Sequence, residues 1–544
     1  MRILLLAHSF NSLTQRLWVE LGRAGHDVCL EFDVNDAVTV EAVELAKPDV
    51  IIAPFLKRAI PEAVWRHHKC LVVHPGPLGD RGPAALDWAV LDGREDWGVT
   101  VLQAEAEMDA GPVWAHRTFP MRAATKSSLY RNEVTDSAVD AVFEALRVAE
   151  PVRPETTWWK PALTQADRAI DWTADDTATV LRKLRASDGT PGVRDGELFL
   201  HDGAAADGLT VCGRPGDWIA RQGGRLARAT TDGAVWIGHL RTAEAGSLKL
   251  PAAEVLAEIA AQLPEQPGHH DLWYDEKGGV GFLHFPFHNG AMSTEQCIRL
   301  KDAFVAASQR PTKVIALMGG PDFWSNGIHL ATIEAAESPA DESWRNINAM
   351  NDLCQAIITC GTHLTVAAMH GNAGAGGVFM ALAADMVVAR AGVVLNPHYK
   401  GMGNLYGSEY WTYLLPRRCG ADGAAALTQA RLPVGSEEAR ELGLIDAAFG
   451  TSVADFRTKV EALAHDLAAS PDLEDRLATK RLTRLADEAE KPLAAYRAEE
   501  LERMELNFYG FDPSYHVARW NFIRKVPKSR TPLYLARHRS KQTA

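Results

Sequence analysis

Short apolar runs alternate with helix-period stretches through the first 150 residues of the chain. RILLLA is followed by the amphipathic RLWVELGRAG, and then by DVCLEF, DVIIAP, CLVVHP and GVTVLQAE with helix-compatible sequence between them. Such alternation predicts a parallel sheet covered by helices. The pattern breaks at PVRPETTWWKPAL, rich in Pro and Trp. From 164 to about 255 one helix, TATVLRKLRAS, precedes short strands such as ELFLHDG, GLTVCG, ARATTDG and AVWIGHL, separated by Gly/Asp turns. These predict a small β-barrel. A second linker, QLPEQPGHHDLWYDEKGG, ends near 279, after which VGFLHF, KVIALMG, LTVAAMHG and DMVVARAG restore the α/β alternation. Helical periodicity then runs from about 452 to beyond 508, as in AAYRAEELERMEL. The expected fold class is α/β multidomain, with domains at 1–150, 164–255 and 279–544, the last carrying a helical extension.

Composition narrows the partners. At 544 residues the chain is too long for one core. A formal net charge of −13 argues against a nucleic-acid partner, so any anion site must be local. The seven cysteines are scattered, with no Cys/His cluster at zinc spacing, which predicts free thiols in a reducing cytosol and no metal site. The apolar run at the N-terminus is too short for a signal segment, and nothing approaches the roughly 20 apolar residues needed to span a membrane. The expected location is cytoplasmic.

HGNAGAGGVF, residues 370–379, follows an apolar run and precedes a helix-like one, so its glycines lie on a strand-to-helix turn. Unpaired N–H groups there suit either a phosphate or the oxyanion of a reacting carbonyl. The dinucleotide reading is weak: the order is G-x-x-G-x-G, and no acidic residue follows about 20 positions on to hold a ribose. A purely structural tight turn also fits.

His74 ends the strand CLVVHP, and Asp109 in EMDAGPVW follows the next strand, so both can converge on one sheet edge. VVHPGPLGDRGPAALDWAV and the later GVTVLQAEAEMDAGPVWA resemble the 10-formyltetrahydrofolate-dependent formyltransferases. His74, Arg81, Gly82 and Asp109 fall on that family's motifs. FLKRAIPEAV resembles its folate-binding loop, which implies folate contacts by Phe55, Lys57, Arg58 and Ile60 as well as Arg81 and Gly82. The resemblance runs through QADRAIDWTADDTATVLRKLRA and implies that the second region is the family's OB-like barrel. It also implies that His74 exchanges protons with the attacking group while Asp109 orients it. One departure is Val72, where the family carries an Asn that helps hold the oxyanion. Its loss suits a nucleophile that needs less help, such as a thiol.

Residues 279–528 resemble the crotonase (enoyl-CoA hydratase/isomerase) superfamily through VGFLHFPFHNGAMSTEQCIRLKDAF, FWSNGIHL and HGNAGAGGVFMALAADMVVA. That resemblance implies an oxyanion hole for a thioester carbonyl at the N–H groups of Ile328 and Gly376. It also implies coenzyme A contacts by Gly327, Phe522 and Lys525. The family's two catalytic glutamates fall here at Phe379 and His398, so water activation does not carry over. Tyr399 and Glu409, in NPHYKGMGNLYGSEYWTY, are the candidate replacements. Glu409 is expected at the start of the helix SEYWTYLL, where it either serves chemistry or merely favours the helix N-terminus.

The two halves together resemble [NiFe] hydrogenase maturation proteins that join a formyltransferase to a crotonase fold. The resemblance implies formyl transfer from 10-formyltetrahydrofolate to coenzyme A, breakdown of formyl-CoA to carbon monoxide and coenzyme A, and hydrogenase maturation proteins as partners beside the small-molecule substrates. Formyl transfer or formyl-thioester hydrolysis without carbon monoxide release, and a non-enzymatic maturation scaffold, stay open at this point.

Overall fold

The computed structural model describes residues 1–210, 212–269 and 271–540. The chain forms two compact units, Met1–His270 with Pro527–Ala544, and Asp271–Val526.

In the first unit, β1 (Arg2–Ala7), β2 (Asp27–Phe32), β3 (Val50–Phe55) and β4 (Cys70–His74) lie in the order β2-β1-β3-β4 and run parallel. Their apolar runs are those of the sequence, and Leu4, Leu6, Ile51, Ala53 and Cys70 pack into one core. The next two strands, Asp96–Gln103 and Val113–Pro120, extend the sheet antiparallel, so it is mixed where a wholly parallel one was expected. The physical reason is the connection. After His74 the chain has one seven-residue helix, Ala85–Leu91, before the next strand, only about 10 Å of helical travel. The return strand therefore pairs beside β4, with Thr100 opposite His74.

The second expected region is an open sheet rather than a closed barrel. Its strands run Trp218–Gln222, Arg225–Ala229, Ala234–Thr242, Leu198–Ala205 and Val193–Asp195 in spatial order, with Leu250–Pro251 beside Ala234–Thr242. Among the described residues no ladder joins the two ends. Its core is small, built on Val180, Leu184, Leu200, Leu226, Val235 and Ile237.

The end of the chain also departs from expectation, since residues 527–540 belong to the first unit and not to the crotonase-like region. Leu30 N–H donates to Leu535 O (3.0 Å) and Phe32 N–H to Thr531 Oγ1 (2.7 Å). Between them the buried Glu31 receives Arg539 Nε (2.7 Å) and the Thr531 hydroxyl, with His538 Nε2 at 2.9 Å. These partners hold the Glu31 carboxyl below its ordinary range against the burial that would raise it. The basic residues of this stretch therefore fasten the edge of the sheet.

The second unit holds a six-stranded sheet in the order Trp273–Lys277, Val280–His284, Val314–Leu317, Leu364–Met369, Met386–Arg390 and Ala447–Phe449. A four-stranded sheet accompanies it: Phe323–Ser325, Asn372–Gly374, Val394–Asn396 and Val434–Gly435. All neighbours are parallel except the first pair of the larger sheet and the last pair of the smaller. Among the described residues no helix is long and apolar enough to cross a membrane.

Candidate functional sites

His74 ends β4 and is buried. Two carboxylates face its ring. Asp80 Oδ2 lies 2.8 Å from Nε2 and Asp109 Oδ2 lies 3.6 Å from Nδ1. Asp80 is the residue that sequence reasoning missed, although it stands inside the quoted string GDRGP. A β-carbon on Gly76 would collide with the Asp80 carboxyl and come within 2.8 Å of His74 Cδ2, so the glycine is what lets the loop fold this carboxylate back. The Thr100 hydroxyl donates to Gly76 O (2.9 Å) and fixes that loop. Asp109 sits at φ 53°, a strained position for a non-glycine residue, and accepts the Gly82 N–H at 3.1 Å. Arg81 holds the same loop through Met108 O (3.2 Å) and Glu107 (2.6 Å).

The expected folate loop surrounds this edge unevenly. Phe55 packs edge-on against His8 and Tyr130, with ring centres 6.2 and 6.3 Å away, and Lys57 N–H donates to Asp33 at 3.3 Å. Ile60 is buried, while Lys57 and Arg58 are exposed, Arg58 pairing with Asp36 at 2.9 Å. Val72 packs with the β1–β3 core, so the position two before His74 is apolar.

In the second unit the HGNAGAGG glycines form a strand-to-helix turn, with the helix at Gly376–Leu382. Gly376 N–H is a first-turn group that no intrahelical carbonyl can take. Ala375, at φ 49° and ψ −127°, aims it, in a backbone region that L-residues rarely occupy. Ile328 forms an isolated bridge with Met292 in which Met292 N–H donates to Gly327 O and His329 N–H to Met292 O. Ile328's own N–H therefore points away from that bridge. Gly327 brings the two turns together: a β-carbon there would stand 3.3 Å from Gly376 N.

Glu409 lies against this turn. A β-carbon on Gly376 would come within 2.6 Å of the Glu409 carboxyl carbon. Tyr399 OH is 2.5 Å from Glu409 Oε2 and 2.9 Å from Ser408 O. Phe379 stacks on Tyr399 at 5.3 Å and leans on Trp411 at 6.4 Å, so the pair has an aromatic roof. Burial pushes the Glu409 carboxyl up to about 8, the charge of Glu500 adding to the rise while hydrogen bonds from Tyr399 and Ser408 oppose it. Burial and then Glu409's charge push the Tyr399 phenol well above its ordinary value.

The expected helix start is displaced. The helical stretch Trp411–Ala430, broken at Gly420, starts after Glu409 and Tyr410, which stand at φ 60° and 59°, two successive left-handed residues. Glu409 is thus not a first-turn residue. The side chain that meets the helix N-terminus is Glu500, 91 residues later, which receives Tyr410 N–H (3.0 Å) and Thr412 N–H (2.9 Å). Burial pushes His398 down to about 4, and its Nδ1 has no hydrogen-bond partner among the described residues. Phe522 and Lys525 lie exposed at the end of the Ser514–Ile523 helix, outside the buried cluster.

Comparison with known proteins agrees with both halves. The formyl transferase family profile matches residues 32–146, and that of enoyl-CoA hydratase/isomerase matches residues 279–507. The chain is 58% identical to the hydrogenase maturation factor HoxX of Bradyrhizobium diazoefficiens, over 99% of this chain and 97% of that one. Methionyl-tRNA formyltransferase of Chlorobium phaeovibrioides is 29% identical over 42% of this chain and 76% of its own. HypX from Aquifex aeolicus, crystallised in complex with tetrahydrofolic acid, superposes with a TM-score of 0.96 at 50% identity, covering 99% of both chains.

Proposed function

This chain belongs to the HoxX family of hydrogenase maturation factors, and from that premise we propose that it transfers the formyl group of 10-formyltetrahydrofolate to coenzyme A and then splits formyl-CoA into carbon monoxide and coenzyme A. In the first step the thiol sulfur attacks the formyl carbon, the bond from that carbon to N10 of the folate breaks, and the thiol proton passes to N10. His74 would carry that proton, a reading supported by the carboxylates of Asp80 and Asp109 beside its ring. In the second step the C–S bond breaks with its electron pair going to sulfur. The C–H pair becomes the lone pair of carbon monoxide, and the proton moves from carbon to sulfur. No oxidant is needed.

One observation carries this reading: a buried Tyr399–Glu409 pair lies against the Gly376 turn beneath Phe379. A carboxyl whose proton affinity is raised to near neutrality can both take and return a proton. The aromatic roof keeps out the water that would divert the formyl group to formate. Gly327, Phe522 and Lys525 would meet coenzyme A, and Phe55, Lys57, Arg58, Ile60, Arg81 and Gly82 the folate. The carbon monoxide would become the iron ligand of a [NiFe] hydrogenase, in the cytoplasm, with hydrogenase maturation proteins as partners. The test is to incubate purified protein with 10-formyltetrahydrofolate and coenzyme A and trap the gas with a haem probe. Carbon monoxide that requires both substrates supports the proposal. Formate alone, formed at full rate without coenzyme A, contradicts it.

A further inference from the structure

Glu500 lies on the Leu493–Tyr509 helix with no exposed surface, and none of the chemistry above uses it. Three donors converge on its carboxylate: Thr412 N–H (2.9 Å) and the Thr412 hydroxyl (2.6 Å) reach Oε1, and Tyr410 N–H (3.0 Å) reaches Oε2, with the Ser408 hydroxyl oxygen 3.2 Å from Oε2. Tyr410, the residue before the helix, offers no side-chain cap, so Glu500 supplies the missing acceptor from a distant helix.

The same segment connects Glu500 to Glu409. Ser408 N–H donates to Glu409 Oε2 (3.2 Å), and Glu409 N–H donates to Asn351 Oδ1 (2.7 Å). The Ser408 hydroxyl stands between Asn351 Oδ1 (3.0 Å) and Glu500. Two buried carboxyls therefore flank one Ser408–Asn351 bracket, and the bracket holds the left-handed Glu409–Tyr410 turn. We propose that Glu500 is a positioning residue for the formyl-CoA step: it fixes the turn that aims Glu409 at Gly376, and its charge keeps Glu409 in the acid form. This rests on Glu409 as the proton carrier of the proposed function.

The order of ionisation follows from the donors. Three hydrogen bonds from donors that reach no other acceptor among the described residues favour a charged Glu500, whereas Glu409 has fewer, so Glu500 is the first of the pair to lose its proton and the second loss is the harder one. Burial pushes Glu500 up to about 7 and Glu409 higher, to about 8. The other titratable groups facing Glu409 are Tyr399 and the buried thiols Cys297 and Cys354.

The test uses the full chain with Glu500→Gln, and reads two midpoints against pH. One is the rate of carbon monoxide release from supplied formyl-CoA. The other is the infrared titration of the Glu409 carboxyl, identified by subtracting the Glu409→Gln spectrum. Both should move down by about one pH unit, a tenfold loss of proton affinity. Asn351→Asp keeps the acceptor for Glu409 N–H, adds a carboxyl, and should move both up, which protects the test if Glu500→Gln fails to fold. Slower turnover with both midpoints unmoved in either folded variant would overturn the proposal, because Glu500 would then only hold the fold. An infrared shift without a shift in the rate profile would support the coupling and overturn Glu409 as the proton carrier instead.

Discussion

The two sites proposed for proton transfer place their titratable groups in different environments. His74 stands at a strand end with carboxylates brought to it by loops, on a sheet edge rimmed by exposed Lys57 and Arg58. That site orients one buried ring between two carboxylates. Glu409 begins as an ordinary carboxyl and gains a useful proton affinity only through burial, an aromatic roof and a second carboxyl beyond Ser408. The difference teaches where strain is spent. The first site holds one left-handed loop residue, Asp109, whereas the second gathers Ala375, Glu409 and Tyr410 in disfavoured backbone around the Gly376 turn.

The sharpest way to break this comparison is Gly376→Val. A side chain there meets the Glu409 carboxyl, so processing of formyl-CoA should fall to background while folate-dependent formyl transfer stays within about twofold. Parallel loss of both activities in a folded variant would mean that the two sites are not independent. Next, His74→Ala and Asp109→Asn should each slow formyl transfer about 100-fold or more. Asp80→Asn should slow it about tenfold, since Asp109 remains on the other ring nitrogen. Transfer rates with supplied 10-formyltetrahydrofolate and coenzyme A check all three, and carbon monoxide release from formyl-CoA should be unchanged in each.

Ending the chain after Val526 strips the buried Glu31 of its partners, and loss of a buried charge partner costs about 3–5 kcal/mol. Calorimetry should show the first unit melting earlier and the second unchanged. The smallest effect is on pH-dependent stability. The Glu409 carboxyl is raised from 4.5 to about 8 on folding, so its contribution is complete below 4.5 and is lost as pH rises through about 8. His398, lowered from 6.5 to about 4, acts in the opposite sense, its contribution being lost as pH falls through about 4. Thermal melts across this range should therefore show a shallower alkaline decline in Glu409→Gln than in the unsubstituted protein.

What the sequence reveals follows from range. RILLLA, DVCLEF, DVIIAP and CLVVHP are local apolar runs and became β1 to β4. The glycine turn was legible because strand, glycines and helix are contiguous in HGNAGAGGVF. Asp80 was visible in GDRGP but not as a partner of His74, because the fold-back depends on the absent β-carbon of Gly76. Glu500 was beyond reach: in AAYRAEELERMEL it resembles any polar helical glutamate, and only packing shows that it is the buried one. The helix expected to begin with Glu409 begins at Trp411, because two left-handed residues carry no propensity signal. Short strands with Gly/Asp turns resemble a barrel whether or not the edges meet, and here the sheet stays open. The terminal stretch reads as part of the 279–544 domain because its partner in the first unit, Glu31, lies about 500 residues earlier.

In the proposed reaction the buried Tyr399–Glu409 pair, and not water, determines the fate of the formyl thioester. The direct measurement is to supply formyl-CoA to the unsubstituted protein, to Glu409→Gln and to Tyr399→Phe, and to quantify carbon monoxide and formate separately. Carbon monoxide as the main product, falling about 100-fold or more in both variants without a matching rise in formate, is the predicted result. Undiminished carbon monoxide from both folded variants would contradict the account and transfer attention to His398.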